Sequence, residues 1–209
     1  MTGVRALEWV ALEWMFMSAQ PQPRLSPEEY LALDRAAEFR NEYYDGHMYA
    51  MSGASRMHVL VTTNLSGELG QALKQRPCEV YAVDLRLRVN PDRLYTYPDI
   101  SVVCGESKLA DDHKDTLLNP TVLVEVLSPS TEAHDRGFKF VHYRHLESLK
   151  EYVLVWQSEP RVEIYRRQPG SDWLLSEVSG LDSTCKFDSL GCEISLSEMY
   201  YRVSFDPQP

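Results

Sequence analysis

The chain has 209 residues, of which 44% are hydrophobic and 11% aromatic, and its formal net charge at pH 7 is −10. This length suits one globular domain with a substantial core. The charge argues against a protein that coats nucleic acid nonspecifically, because such binding depends on Lys and Arg neutralising phosphates, but it allows a local basic groove. No apolar run approaches the roughly 18 residues that span a bilayer, so we expect no membrane partner.

The first part of the chain is interpreted as an extension. Two glutamates interrupt its apolar run and it carries little positive charge, which argues against an export signal. Met17 opens a polar stretch typical of a natural start, so residues 1–16 are interpreted as an upstream extension. We divide the chain into an extension or flexible segment at residues 1–22 and a single domain at residues 23–205.

The four cysteines show no Cys-x-x-Cys spacing. In a chain without an export signal, we expect them to be free thiols in a reducing compartment, and we expect the protein to be cytoplasmic. A zinc site that includes Cys185 and Cys192 is the alternative interpretation of two of them.

The N-terminal half predicts two helices and a hairpin. Ser26 is a helix N-cap, and Glu29 completes a capping box with it. Asp45-Gly46 separates two β-prone runs, which predicts a tight hairpin because glycine supplies the positive φ of the turn. Leucines recur every four residues between positions 57 and 76, which predicts a long amphipathic helix.

The middle of the chain is rich in predicted strands. In the run LRLRV at 85–89, leucine and valine alternate with arginine, which predicts a half-buried strand. The run NPDRLYTYP at 90–98 is predicted to be a loop, and DISVVCG at 99–105 a strand. A polar loop at 106–119 then leads to the apolar strand TVLVEVL at 121–127.

The C-terminal part predicts a helix followed by a β-meander. The helix covers residues 133–149, and EYVLVW and RVEIYRR are two strands separated by a short turn. The tail predicts further short strands and one helical turn. A helical crossover between apolar strands, together with hairpins, predicts an α/β fold with a mixed sheet.

Glu125 is the least expected residue of the apolar strand, because an ionised carboxylate is rarely buried without a partner. Asp99 opens the preceding strand, so the two carboxylates converge if the strands are neighbours. A hard divalent cation would relieve their repulsion, and Mg²⁺ prefers carboxylate and water ligands. The alternatives are a Glu125 that faces solvent or pairs with an arginine, and an Asp99 that stabilises a turn.

Four successive motifs resemble the Uma family of restriction-endonuclease-like bacterial proteins, within the PD-(D/E)xK nuclease superfamily. They are YYDGHMYAMSGAS, YPDISVVCG, NPTVLVEVLSPSTEAHDRGFKF and SLKEYVLV, and the likeness extends from about Pro23 to Leu196. The resemblance implies a restriction-endonuclease-like core, a central mixed sheet flanked by helices, and a Mg²⁺-dependent phosphodiesterase site that acts on DNA, with Mn²⁺ as a substitute. It also implies metal ligation by Asp99, Glu125 and the carbonyl of Val126.

One position departs from the superfamily pattern, which has a lysine two residues after the acidic residue. Position 127 is leucine, and the resemblance implies that Lys139 on the following helix replaces that lysine. The alternative is a solvated Lys139 that pairs with Asp135 one helical turn earlier, which would leave the site without its charge stabiliser.

Helical spacing predicts two faces of the segment 133–149. Lys139 shares a face with Arg136 and Tyr143. The other face is predicted to pack on the sheet, and it consists of Phe138, Val141, His145 and Leu149.

Further residues complete the hypothesis of a nuclease. Glu42 is a third metal ligand or a solvent-facing strand residue, and His58 either contacts phosphate or caps a helix. Arg136 and Arg144 belong to a locally basic stretch that predicts a DNA-facing strip, or an ordinary charged helix surface. The other hypotheses are a catalytically degenerate module that binds nucleic acid or a protein partner, and a homodimeric structural protein. A homodimer is expected on each reading, because the meander leaves strand edges exposed.

Overall fold

The structure, a computed structural model, describes residues 24–205. The extension predicted at residues 1–22 lies outside the described residues. The helices are α1 (Pro27–Ala36), α2 (Arg56–Leu73), α3 (Phe140–Tyr143) and α4 (Leu196–Met199), and a π-helix at His134–Lys139 leads directly into α3. Within the described residues, no helix is both long enough and apolar enough to cross a membrane.

The strands form a six-stranded sheet, a five-stranded sheet and a two-stranded sheet. Their bounds are β1 (Asn41–Tyr44), β2 (His47–Ala50), β3 (Cys78–Ala82), β4 (Arg86–Asn90), β5 (Leu94–Thr96), β6 (Ile100–Cys104), β7 (Thr116–Leu117), β8 (Val122–Leu127), β9 (Glu151–Trp156), β10 (Arg161–Arg167), β11 (Trp173–Ser179), β12 (Thr184–Phe187) and β13 (Cys192–Ser195). The orders are β11-β10-β9-β8-β6-β3, β2-β1-β5-β4-β7 and β12-β13.

The first helix and hairpin form as predicted. The Ser26 side chain accepts from the backbone N–H of Glu29, and the Glu29 carboxylate accepts from the backbone of Ser26. Asp45 and Gly46 join β1 to β2 with φ angles of 49° and 92°. Both angles lie in the left-handed region that a two-residue hairpin turn requires, and glycine and aspartate tolerate it best.

The six-stranded sheet is mixed, as predicted, and it carries a core on each face. β8 and β9 are parallel, whereas the other neighbours are antiparallel. Helix α2 covers one face through its leucines, and Val124 and Val126 of β8 belong to the core on that side. The other face buries Leu123 and Leu127 under α3, because side chains alternate along a strand. Glu125 lies between those two leucines and therefore points to the α3 side.

Three predictions about the middle of the chain are wrong. The predicted loop 90–98 contains strand β5, which pairs with β1 and β4. The predicted loop 106–119 contains strand β7, which pairs with β4. Arg86, expected on the solvent side of its strand, is 2% exposed. Its guanidinium lies 2.7 Å from a carboxylate oxygen of Asp34, which comes from α1, and it also donates to Thr116. The buried charge is tolerated because it is paired and hydrogen-bonded.

The helix predicted at 133–149 is shorter than expected and is turned the other way. Regular helix ends at Tyr143, and a π-helix forms its first part. Lys139 and Tyr143 face the sheet and are buried, whereas Val141, expected to pack on the sheet, is 46% exposed. The π-helix closes its hydrogen bonds over five residues instead of four, so α-helical spacing does not describe its faces.

The expectation of four free thiols is wrong for two of them. Cys78 of β3 and Cys104 of β6 are direct partners in an antiparallel pair and form a disulfide. Cys185 and Cys192 are free, as expected. The alternative zinc site does not form, because residues 24–205 hold no cluster of three or more His, Cys, Asp or Glu arranged for a metal. Burial raises the pKa of Cys185 to about 12.

Candidate functional site

Strand pairing brings Asp99 and Glu125 together. Ile100 pairs with Val124 in the antiparallel register of β6 and β8, and the next position along each strand places Asp99 opposite Glu125. The backbone N–H of Val126 donates to Asp99 Oδ2 over 2.7 Å, which fixes the aspartate beside the glutamate strand. The two carboxylates therefore lie close together on neighbouring strands, as predicted.

Glu125 is buried, with 3% of its surface exposed, and two groups contact its Oε1 atom. The Lys139 Nζ atom lies 3.0 Å away, and the Tyr143 hydroxyl donates over 3.0 Å. Burial raises the pKa of Glu125 well above its ordinary value, and the charges of Asp135 and Asp99 add to the rise against the opposing effect of Lys139. A carboxyl group with such a pKa is a frequent mark of a functional site.

Lys139 is a buried cation at the centre of this cluster. Its Nζ atom lies 3.0 Å from Asp135 Oδ1 and 3.6 Å from Glu42 Oε1, besides its contact with Glu125. Burial by itself lowers the pKa of Lys139, but the surrounding carboxylates outweigh that effect and hold the pKa well above its ordinary value. Lys139 therefore combines the two predicted arrangements. It pairs with Asp135, and it also contacts Glu125.

The pleat of β8 explains why a lysine from the helix can replace one at position 127. Leu127 lies two residues after Glu125 and so on the same face of the sheet, where it is packed in the core under α3. The π-helix and α3 cover that same face. A long side chain from this helix therefore enters the space that a strand lysine would occupy, and Lys139 does so.

Two further residues join the cluster: Asp135, which was not predicted to belong to the site, and His58, for which a phosphate contact and a capping role were the alternatives. Asp135 is 3% exposed. Its position one helical turn before Lys139 indicates an ion pair between the two, but the sequence predicted that pair on the solvent-exposed surface. His58, in the first turn of α2, lies 3.2 Å from Asp99 Oδ2 through its Nε2 atom. Burial is the largest single effect and lowers the pKa of His58, but the hydrogen bond to Asp99 and the negative charges of Asp99 and Asp135 together outweigh it, so the net shift is upward. Only the packing of α2 on β8 reveals this contact.

The predicted DNA-facing strip is not one continuous surface. Lys139 points inward, and the Arg136 guanidinium lies 2.9 Å from Glu163 and 3.5 Å from Glu132. Arg136 also lies over the ring of Trp156, 4.9 Å from its centroid. Arg144 is exposed just after α3, where it borders a separate pocket. Nucleic-acid binding by the two arginines stays a prediction.

The chemistry of these groups fits a hard divalent cation, although they are not arranged as a finished coordination sphere among residues 24–205. The carboxylates of Glu42, Glu125 and Asp135 lie within 3.6 Å of one lysine, and Asp99 lies beside the glutamate strand, so a cation would neutralise an excess of negative charge here. Lys139 and Tyr143 hold one Glu125 oxygen, whereas His58 and the Val126 N–H hold one Asp99 oxygen. A metal that binds this Glu125 oxygen would require the Lys139 ammonium to withdraw from it.

Known proteins similar to this chain include two from Synechocystis sp. (strain ATCC 27184 / PCC 6803 / Kazusa). The "Uncharacterized protein slr1290" is 36% identical over 187 residues, which cover 88% of this chain and 96% of the relative. The "Uncharacterized protein sll1609" is 34% identical over 163 residues, which cover 78% and 92% of the two chains. The chain thus spans nearly the whole length of both relatives.

A solved structure shares the fold. It is described as "a putative nuclease belonging to DUF820" from Anabaena variabilis ATCC 29413, and it superposes with a TM-score of 0.68 over 84% of this chain and 97% of its own. At 19% identity the likeness is one of fold, and it confirms the predicted nuclease-like α/β architecture. Residues 27–197 match the family described as "Uma2: Putative restriction endonuclease". The chain belongs to this family, as its motifs predicted.

Proposed function

We propose that the protein is a Mg²⁺-dependent nuclease that hydrolyses phosphodiester bonds in DNA. The observation that carries the proposal is the contact between Lys139 Nζ and Glu125 Oε1, 3.0 Å apart and both buried. It joins a lysine to the acid pair despite Leu127, as a site with a relocated lysine requires. Family membership and the nuclease-like fold support the same reaction class.

Each residue of the cluster has a role in this proposal. Asp99, Glu125 and the carbonyl of Val126 would hold the metal, with Glu42 as a further ligand. When bound, Mg²⁺ would polarise the phosphate and stabilise the charge that develops on it. Lys139 would leave Glu125 to orient the nucleophile or to stabilise negative charge on the phosphate. The Val126 N–H keeps Asp99 oriented, and Tyr143 keeps Glu125 oriented.

Calorimetry with Mn²⁺ tests the metal centre first. We expect binding by the wild-type protein and none by Glu125→Gln. The matched control is Glu163→Gln, because Glu163 is buried to the same 3% but pairs with Arg136 and Arg161 in β10. Equal binding by wild type and Glu125→Gln would refute the assignment, and loss in both variants would show a general effect of removing a buried charge.

A cleavage assay tests the reaction itself. Asp99→Ala should remove Mg²⁺-dependent cleavage of DNA while it leaves the fold intact, because the Asp99 side chain is at the edge of the core and contacts His58 and the Val126 N–H. Circular dichroism and thermal unfolding would verify the fold. A folded Asp99→Ala variant that cuts as well as wild type would exclude this residue from the site.

A second candidate function is a degenerate nuclease fold that binds nucleic acid or a protein partner. Leu127 and the full neutralisation of Lys139 by Glu125 and Asp135 favour it. The same calorimetry separates the two, since a degenerate site should bind neither Mg²⁺ nor Mn²⁺ at millimolar concentration while nucleic-acid or protein binding persists.

Homodimerisation and a cytoplasmic location belong to the same proposal. Strand β11 is an edge of the six-stranded sheet and exposes Leu174 and Leu175, which supports pairing with a second copy. Sedimentation should give twice the monomer mass, and Leu175→Lys should give the monomer mass. The Cys78–Cys104 disulfide removes the argument from free thiols, so the cytoplasmic location stays a prediction.

A further inference from the structure

A pocket beside the acidic cluster is lined mainly by aromatic rings. Its volume is about 350 Å³, near the lower end of the roughly 300–1,000 Å³ typical of small-molecule sites. The side chains that matter here are Tyr44 and Tyr49 of the hairpin, His134 and Phe138 of the π-helix, and Glu42. The cluster used in the proposed function does not include the four rings.

The rings form an ordered group at the surface. Phe138 meets Tyr44 edge-on, with centroids 4.7 Å apart, and His134 lies nearly parallel to Phe138 at the same distance. His142 is tilted against Phe138, with centroids 4.4 Å apart. Tyr49 is 52% exposed, and His134 is exposed as well. Within residues 24–205, none of the four rings belongs to a buried hydrophobic cluster. The four rings therefore line the pocket and lie outside the hydrophobic core clusters of the described residues.

Glu42 connects the pocket to the proposed metal ligands. Its side chain lines the pocket, and its Oε1 atom lies 3.6 Å from Lys139 Nζ, which in turn contacts Glu125. A group seated in the pocket would therefore lie next to Glu42, one of the proposed metal ligands. Glu42 also offers an acceptor for an amino group of the occupant.

We propose that this pocket takes one unstacked nucleobase next to the cleaved phosphate, so that the substrate is single-stranded or locally unpaired DNA. The inference rests on the proposed nuclease function for the choice of substrate. A base presents the flat π-face that aromatic side chains stack on, and its exocyclic amino group can donate to a carboxylate. A base inside a duplex is already stacked and paired, so it would have to leave the helix to enter.

Binding to strands with and without bases tests this directly. The probes are a fluorescein-labelled single-stranded oligonucleotide, its fully paired duplex, and an abasic strand of the same length that retains every phosphate. Anisotropy is measured with Ca²⁺ in place of Mg²⁺ to separate binding from hydrolysis. We expect the single strand to bind roughly tenfold or more tightly than either the abasic strand or the duplex, given the usual strength of base–aromatic stacking.

Variants of Phe138 assign the preference to the pocket. Phe138→Ala should weaken binding of the base-bearing strand by roughly 5- to 150-fold, the range for loss of one stacking ring, and leave abasic binding unchanged. Phe138→Tyr should retain the preference because it keeps the ring. Val141→Ala is the matched control, since Val141 is exposed on the same helical segment and lies outside the pocket.

The outcomes distinguish this inference from the proposed function. Equal binding of base-bearing and abasic strands by wild type would overturn the pocket, even if the protein binds Mn²⁺ and cleaves DNA. A preference that Phe138→Ala leaves intact would also overturn it. A protein that cleaves nothing but shows the Phe138-dependent preference would retain the base pocket and lose the nuclease proposal.

Discussion

Lys139 is the cation that contacts Glu125, Asp135 and Glu42 in the candidate site. We predict that Lys139→Met lowers the free energy of unfolding by about 3–5 kcal/mol without metal, the usual cost of breaking a buried ion pair. Because burial and nearby acids raise the pKa of Glu125, a protonated Glu125 no longer needs the cation below that pKa. The loss should therefore be larger at pH 8 than at pH 5. Urea unfolding at both values measures it.

The control for this prediction is Lys150→Met, which removes a lysine from the exposed surface. It should change stability by no more than about 0.5 kcal/mol. Millimolar Mn²⁺ should restore part of the stability of Lys139→Met, because a cation then neutralises Glu125. Equal losses in the two variants would mean that Lys139 does not stabilise the cluster.

Asp34 provides a second effect of pH at the residue scale. Burial raises its pKa, but hydrogen bonds from Tyr97 and Arg86 outweigh burial and lower the pKa overall. A depressed folded-state pKa contributes stability above the unfolded-state pKa, about 3.9, and loses it as pH falls toward the folded value. We predict that Asp34→Asn is less stable than wild type at pH 7 and loses less stability below about pH 4. Parallel acid-unfolding curves would contradict this.

At the scale of elements, the disulfide joins two neighbouring strands of the main sheet. Cys78 and Cys104 are 26 residues apart, a loop for which cross-linking stabilises by about 3–4 kcal/mol. We predict that a thiol reagent in denaturant detects two thiols without reductant and four after reduction. Reduction should also lower the urea midpoint of wild type and leave that of the double variant Cys78→Ser, Cys104→Ser unchanged. Four reactive thiols before reduction would contradict the pairing.

The sequence predicted those elements whose signals are local. The capping box at Ser26, the turn at Asp45-Gly46 and the apolar strand around Glu125 each depend on neighbouring residues, and each forms as predicted. The acid pair was also predictable, because consecutive strands often lie side by side. The role of each acid in catalysis stays a prediction.

What the sequence did not predict depends on partners distant along the chain or on an unusual helix. Arg86 is buried because Asp34 arrives from α1, and Cys78 meets Cys104 because β3 pairs with β6. The faces of the segment after β8 were assigned with α-helical spacing, which the π-helix does not follow. The contact between His58 and Asp99 depends on the packing of α2 against β8.

For the whole molecule, the charge distribution sets how the protein would hold nucleic acid. The net charge is −10, and the Arg136 guanidinium is already paired with Glu163 and Glu132. Affinity would then come from the metal and from base stacking, with few phosphate contacts. We predict that log K for a single strand falls with log[salt] with a slope of about −1.4 to −2.1, which corresponds to roughly two or three phosphates at about −0.7 each.

Variants of the two arginines locate those contacts. Arg144 is exposed, so Arg144→Ala should make the slope shallower by about 0.7, the contribution of one phosphate. Arg136→Ala should make the slope shallower by a smaller amount, because Arg136 must leave Glu163 and Glu132 before it can contact a phosphate. A wild-type slope steeper than about −5 would require a broad basic surface. The protein would then bind DNA along a face other than the acidic cluster and its aromatic pocket.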